Sequence, residues 1–208
     1  MKRIITLTMA FLICFSVTFT MTACTSDPEA STPPTTTSVP KHPIEEFISR
    51  MRDADSAQMT MTMSDVPFLG TITMITKHDG NIEYTSGSLI SDESYIETIN
   101  DLRYEYTKND DGKWIKSLIT EDESEDDSND LTTLFENPEN FEKVEGKENT
   151  YKQKSSVTFD DFDNVVITIE DDTCTIEMTM ISDDMICGCK IVISHIGEIE
   201  LTLPEVTE

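Results

Sequence analysis

The sequence predicts an α+β domain built on one antiparallel sheet of about ten strands, with two helices on its apolar face. Three observations predict it. Apolar residues alternate with Thr, Glu and Lys through most of the chain after residue 58. Gly, Asn and Asp clusters interrupt these runs at hairpin spacing. One early stretch has helical spacing instead. The short connections favour antiparallel pairing, because parallel strands need long crossovers.

The helix is predicted over 43–55. Pro43 suits a first turn, Glu45 and Glu46 its positive end, and Arg50 and Arg52 its negative end. Ile44, Phe47, Ile48, Met51 and Ala54 then form one apolar stripe. Strands follow around Met59-Met61-Met63, Ile72-Met74, Ile82-Tyr84, Ser94 to Ile99, Leu102-Tyr104-Tyr106 and Lys113 to Lys116. His78-Asp79-Gly80-Asn81 and Asn109-Asp110-Asp111-Gly112 supply turns between them. Residues 121–130 carry seven acidic side chains in ten. Mutual repulsion predicts a flexible surface loop there. It lacks the central Gly and closing Glu of an EF-hand, although weak calcium condensation stays open. Asp130 can cap a short second helix, Leu131 to Glu136, ended by Pro138. Strands resume after Phe141: Tyr151 to Ser155, Val165 to Ile169, Ile176 to Met180, Ile186 to Ile193 and Ile199 to Leu203.

The N-terminal segment places the domain. Lys2 and Arg3 precede an apolar run, Ile4 to Phe19, that ends in Met21-Thr22-Ala23-Cys24. That order is a secretory signal, and its last four residues resemble a bacterial lipobox. The resemblance implies cleavage of residues 1–23, diacylglyceryl attachment at Cys24 and a membrane anchor. An ordinary secreted protein and an uncleaved anchor are the alternatives. Thr25 to Pro40 has four prolines among Ser and Thr and almost nothing to bury, so 24–40 reads as lipidated Cys plus tether. Its 16 residues after Cys24 could span up to ~50 Å when extended. Residues 41–208 form the one domain, long enough for a real core. The expected location is the extracytoplasmic face of a cell membrane, in a Gram-positive-type bacterium.

Charge narrows the function. Residues 24–208 hold 13 of the 15 basic residues and all 41 acidic ones, a net charge of −28. Such a chain repels nucleic acid. His42, His78 and His195 are scattered, with no nucleophile elbow, phosphate loop or paired Cys-x-x-Cys, so the chain reads as non-catalytic, with no cofactor and no metal. Cys174, Cys187 and Cys189 remain after the signal and anchor cysteines. Cys187 and Cys189 should face the same way along a strand. Structural cysteines are expected, buried or paired, with redox and metal roles as alternatives.

The candidate site is a hydrophobic face. Met59, Met61, Met63, Met74, Met178 and Met180 fall on strand faces expected to turn inward, with Tyr84, Tyr104 and Tyr106 as further candidates. Unbranched, polarizable methionine adapts to flexible acyl chains. The competing reading is that these side chains simply fill a core.

Three stretches carry a family resemblance: Gly112-Lys113-Trp114-Ile115-Lys116, the segment Leu131 to Phe141 with its Asn137-Pro138, and Gly197-Glu198-Ile199-Glu200-Leu201-Thr202-Leu203-Pro204. Their order, helix first, resembles the LolA/LppX-LprG superfamily of envelope lipoproteins and carriers. The resemblance implies a curved half-barrel whose concave apolar face, lidded by one or two helices, binds acyl chains or lipid-modified partners. The acidic insertion at 121–130 departs from that pattern. Two functions follow as expectations: a membrane-anchored binder or carrier of a hydrophobic ligand, or a non-catalytic protein-interaction or sensor module with a filled core.

Overall fold

The computed structural model describes residues 41–89, 93–119, 134–135, 137–182 and 185–206. The expected signal, Cys24, the tether, the acidic loop and most of the second helix lie outside these residues. Leu134 and Phe135 are helical, and Leu134 is fully buried in the core.

Helix α1 spans Pro43–Asp53. Its start is closed by a reciprocal cap: the Ile44 N–H donates to His42 Nδ1 at 3.3 Å, and the His42 N–H donates to the Glu45 carboxylate at 3.3 Å. Ile44 and Phe47 of the expected stripe are buried, with Ile48 and Met51 packed beside them. At the other end, Arg50 donates to the Asp172 carboxylate at 2.6 Å and to the Asp171 carbonyl at 2.9 Å.

Among the described residues eleven strands follow: β1 Ser56–Val66, β2 Gly70–Asp79, β3 Ile82–Gly87, β4 Ser94–Ile99, β5 Leu102–Lys108, β6 Trp114–Leu118, β7 Phe141–Lys143, β8 Thr150–Gln153, β9 Phe162–Glu170, β10 Thr173–Ser182 and β11 Met185–Ser194. They form one open antiparallel sheet in the order β6-β5-β4-β3-β2-β1-β11-β10-β9-β8-β7. Two meanders therefore meet at β1 and β11. The α+β antiparallel architecture matches the sequence-based expectation.

Two details differ. The short edge strand β7 sits at Phe141, where the expected strands only resume. Ile199 to Leu203 is not a strand. There the Ile199 N–H donates to Ser56 Oγ at 3.0 Å and the Leu201 N–H to the Asp79 carboxylate at 2.7 Å. Side-chain acceptors at one end of the sheet take the donors that a ladder would have used.

Register fixes which side chains share a face. One row runs Ile169–Cys174–Ile193–Met59–Thr76–Thr85 and the next Tyr151–Ile167–Ile176–Ile191–Met61–Met74. Nearly all of these residues are buried, and α1 contributes Ile44 and Phe47 to the same cluster. The core thus lies between α1 and the half of the sheet made by β1, β2 and β9–β11. Each buried Met or Ile there contributes about 2 kcal/mol against its exposed state.

Candidate functional site

All six candidate methionines share one face. Met61 lies beside Ile191 and Met74, Met63 beside Cys189 and Ile72, and Met180 beside Cys187 and Phe162. Every one of the six is at most 5% exposed. The face is mixed rather than methionine alone: Ile72, Ile167, Ile176 and Ile191 are buried among them. These isoleucines belong to the same period-two pattern, and that pattern was the signal for including them.

The three candidate tyrosines stand on the opposite face, which corrects the expectation of a single inward set. The reason is the turn chemistry. Residues 80–81 form a two-residue turn that pairs Asp79 with Ile82, and hence Lys77 with Tyr84 and Thr76 with Thr85. Thr76 shares the methionine face, so Thr85 does too and Tyr84 does not. Asn100 and Asp101, both with left-handed φ (51° and 63°), form another two-residue turn. It pairs Tyr95 with Tyr106 and Glu97 with Tyr104, carrying both tyrosines to the face of Tyr84.

On that second face, rings and ammonium groups interlock. Tyr84 and Tyr95 meet edge-on at 5.0 Å between centroids, and Tyr95 and Trp114 at 5.5 Å. Lys116 sits 4.3 Å over Tyr104 and 4.9 Å over Tyr106, and Lys108 4.9 Å over Trp114. The Tyr106 hydroxyl donates to Glu97 at 2.6 Å, and the Lys116 ammonium reaches the same carboxylate at 2.9 Å. These two donors hold the Glu97 carboxyl below the usual carboxylate range. Burial and the Glu97 hydrogen bond push the Tyr106 phenol up.

The methionine face turns polar beyond β2. His78, Glu83, Ile96 and Glu105 form its next row across β2–β5, with Arg103 beside them on β5. Burial raises the Glu83 carboxyl above its ordinary value, against the lowering influence of Arg103 and His78. The other two histidines have local roles: His42 caps α1 and packs its ring 5.0 Å from Tyr151, and His195 contacts Ser194 Oγ at 2.9 Å.

Cys174, Cys187 and Cys189 are free thiols buried in the methionine face. Cys187 and Cys189 point the same way, as alternation requires. Burial pushes Cys174 and Cys189 up to about 12, which keeps them as inert thiols at neutral pH. Burial raises Cys187 as well, with Asp65 adding to it. Among the described residues no cluster of three or more His, Cys, Asp or Glu side chains could hold a metal.

A cavity of about 610 Å³ opens at the β8–β9 flank. Its lining mixes polar residues, among them Glu142, Lys152 and Asp163, with Val166 and the core residues Phe162 and Val165. Among the described residues no helix is long and apolar enough to cross a membrane. No protein-family model matches the chain, and no curated protein matches it.

Proposed function

We propose that the chain is a membrane-anchored, extracytoplasmic lipoprotein that binds or carries a lipid or acyl ligand, held through Cys24 and tethered by residues 25–40. The open sheet is read as a half-barrel, with α1 lying over its concave, methionine-bearing side. The observation that carries this reading is the single continuous face of six methionines under a helix, flanked by a cavity whose wall includes the core residues Phe162 and Val165. An acyl chain entering such a face would contribute about 0.8 kcal/mol per methylene buried. A sixteen-carbon chain buried along its length would contribute about 12 kcal/mol before the association cost is subtracted. The tyrosines are not part of this ligand face.

A second reading, an interaction or sensor module with a filled core, draws support from the near-complete burial of those methionines. Native mass spectrometry on the chain purified without detergent separates the two. The expected result is a mass excess of lipid size, lost on denaturation. A bare mass with no uptake of added phospholipid or fatty acid overturns the ligand reading. The burial also dictates the variants. Met59→Glu and Met178→Glu would place a charge in the core and unfold the chain. Met59→Leu with Met178→Leu conserves volume, keeps the fold and stiffens the face. It should lower lipid occupancy severalfold at unchanged thermal midpoint.

A further inference from the structure

The two edges of the sheet are built differently. Edge strand β7 has three residues and exposes two charges, Glu142 and Lys143, which blunts it against further pairing. Edge strand β6 has five, Trp114–Leu118, with Ile115 40% and Leu118 48% exposed. Its ladder to β5 shows which way its main chain points. The Asn109 N–H donates to the Lys113 carbonyl and the Ile119 N–H to the Arg103 carbonyl, each at 2.9 Å. In the same register Ile115 and Ser117 pair with Thr107 and Glu105. Antiparallel ladders alternate, so the N–H and C=O groups of Trp114, Lys116 and Leu118 point away from β5. Among the described residues no strand takes them up.

A lysine on an edge strand ordinarily guards it. Lys116 does not, because its ammonium is drawn inward over the sheet. It lies 4.3 Å over the Tyr104 ring on β5 and 2.9 Å from Glu97 on β4. Trp114 leans the same way, its ring 5.5 Å from Tyr95 on β4. The two largest side chains of β6 thus leave its outer backbone groups uncovered. The other face of the sheet adds a charge. Ser117 stands directly across from Glu105. Glu105 has no ion-pair partner among the described residues. On a strand added beyond β6, the residue opposite Ser117 would stand two strand spacings from Glu105, about 10 Å. A lysine already covers such a span in this sheet: Lys116 on β6 reaches Glu97 on β4. The small Ser117 side chain leaves that path open.

We infer that β6 accepts an added strand: an extended segment of another polypeptide, apolar on the side of Trp114 and Leu118 and carrying a lysine or arginine on the side of Ser117. Main-chain bonds to Trp114, Lys116 and Leu118 supply affinity, and pairing with Glu105 supplies the choice of partner. A basic segment also suits a chain with 15 basic and 41 acidic residues. A second copy of this chain suits it less, because it brings the same acidic excess to the edge. A filled or an empty methionine face leaves β6 unchanged, so strand addition is independent of lipid binding.

The test uses the full chain, with amide exchange followed residue by residue by nuclear magnetic resonance. Two probe peptides are added in turn, one alternating valine and lysine, the other valine and glutamate. In the free chain the amides of Trp114, Lys116 and Leu118 should exchange fast, while those of Ile115, Ser117 and Ile119 are protected by β5. Saturating valine–lysine peptide should slow the first three by more than about tenfold and leave the second three unchanged. No slowing, or slowing that ignores this alternation, overturns the inference. So does protection of the three outward amides in the free chain, which would mean that other residues of the chain or a second copy already occupy the edge. The valine–glutamate peptide should bind about tenfold more weakly. Glu105→Gln should shrink that gap toward parity. A gap that stays full overturns the choice of a basic partner.

Discussion

The two halves of this sheet are stabilised by different physics. In the half made by β1, β2 and β9–β11, one face is sealed: Met61, Ile167, Ile176 and Ile191 are at most 1% exposed beneath α1. Its strength is apolar area removed from water. In the half made by β3–β6, neither face carries such a core. Rings, lysines and carboxylates instead lie across the strands, with Tyr106 bonded to Glu97 and Lys116 over two rings. Interactions of that kind are individually small and sensitive to pH and salt. The comparison teaches that one continuous ladder can join a packed domain half to a half held by surface chemistry. The second half should be the softer one.

The largest break in that contrast is a charge in the first half. Met61→Glu should cost about 4 kcal/mol or more, because the carboxyl must be buried charged or protonated at a penalty. Urea unfolding at pH 7 would show it as loss of most of the stability. Truncation gives the direct comparison: Met61→Ala should cost ~3 kcal/mol and Tyr104→Ala ~1 kcal/mol or less. Equal losses in the two variants would erase the distinction between halves.

Charge chemistry sharpens it further. Tyr106→Phe removes the hydroxyl that holds down the Glu97 carboxyl and should cost about 1 kcal/mol at neutral pH. A depressed carboxylate stabilises above its unfolded value, about 4.3, and loses that contribution as pH falls through its folded value. The gap between Tyr106→Phe and wild type should therefore narrow below about pH 4. Glu83 runs with the opposite sign. Its carboxyl is raised by burial, so the charged form costs stability at neutral pH and protonation removes that cost. Glu83→Gln should raise the thermal midpoint slightly at pH 7, with the gain vanishing below about pH 4. A gain that persists in acid would assign the effect to packing instead.

Much of this was legible in the sequence. Period-two alternation located the strands, and the apolar stripe located α1. The cap at His42 and Glu45 was not foreseen, because histidine is an uncommon capping residue. The strand expected at Ile199 to Leu203 failed because alternation reports a half-buried extended segment, not the identity of its hydrogen-bond partners. The tyrosines were assigned to the wrong face for a subtler reason. Alternation within a strand says which residues go together, but only the turn says how one strand is phased against the next. A two-residue turn pairs even positions with odd ones, so even-numbered Met74 and Tyr84 had to separate. That rule was available from Gly80-Asn81 and was the signal left unused.

The strand order also governs how the chain assembles. β1 and β11, the first and last strands, are neighbours at the centre of the sheet, while the middle of the chain supplies both edges. Each meander zips from local hairpins, but their union closes a loop of more than a hundred residues, the slowest and entropically most demanding contact in the domain. During synthesis the N-terminal meander emerges first and waits with the β1 side of its seam uncovered, until the last strand arrives to claim it.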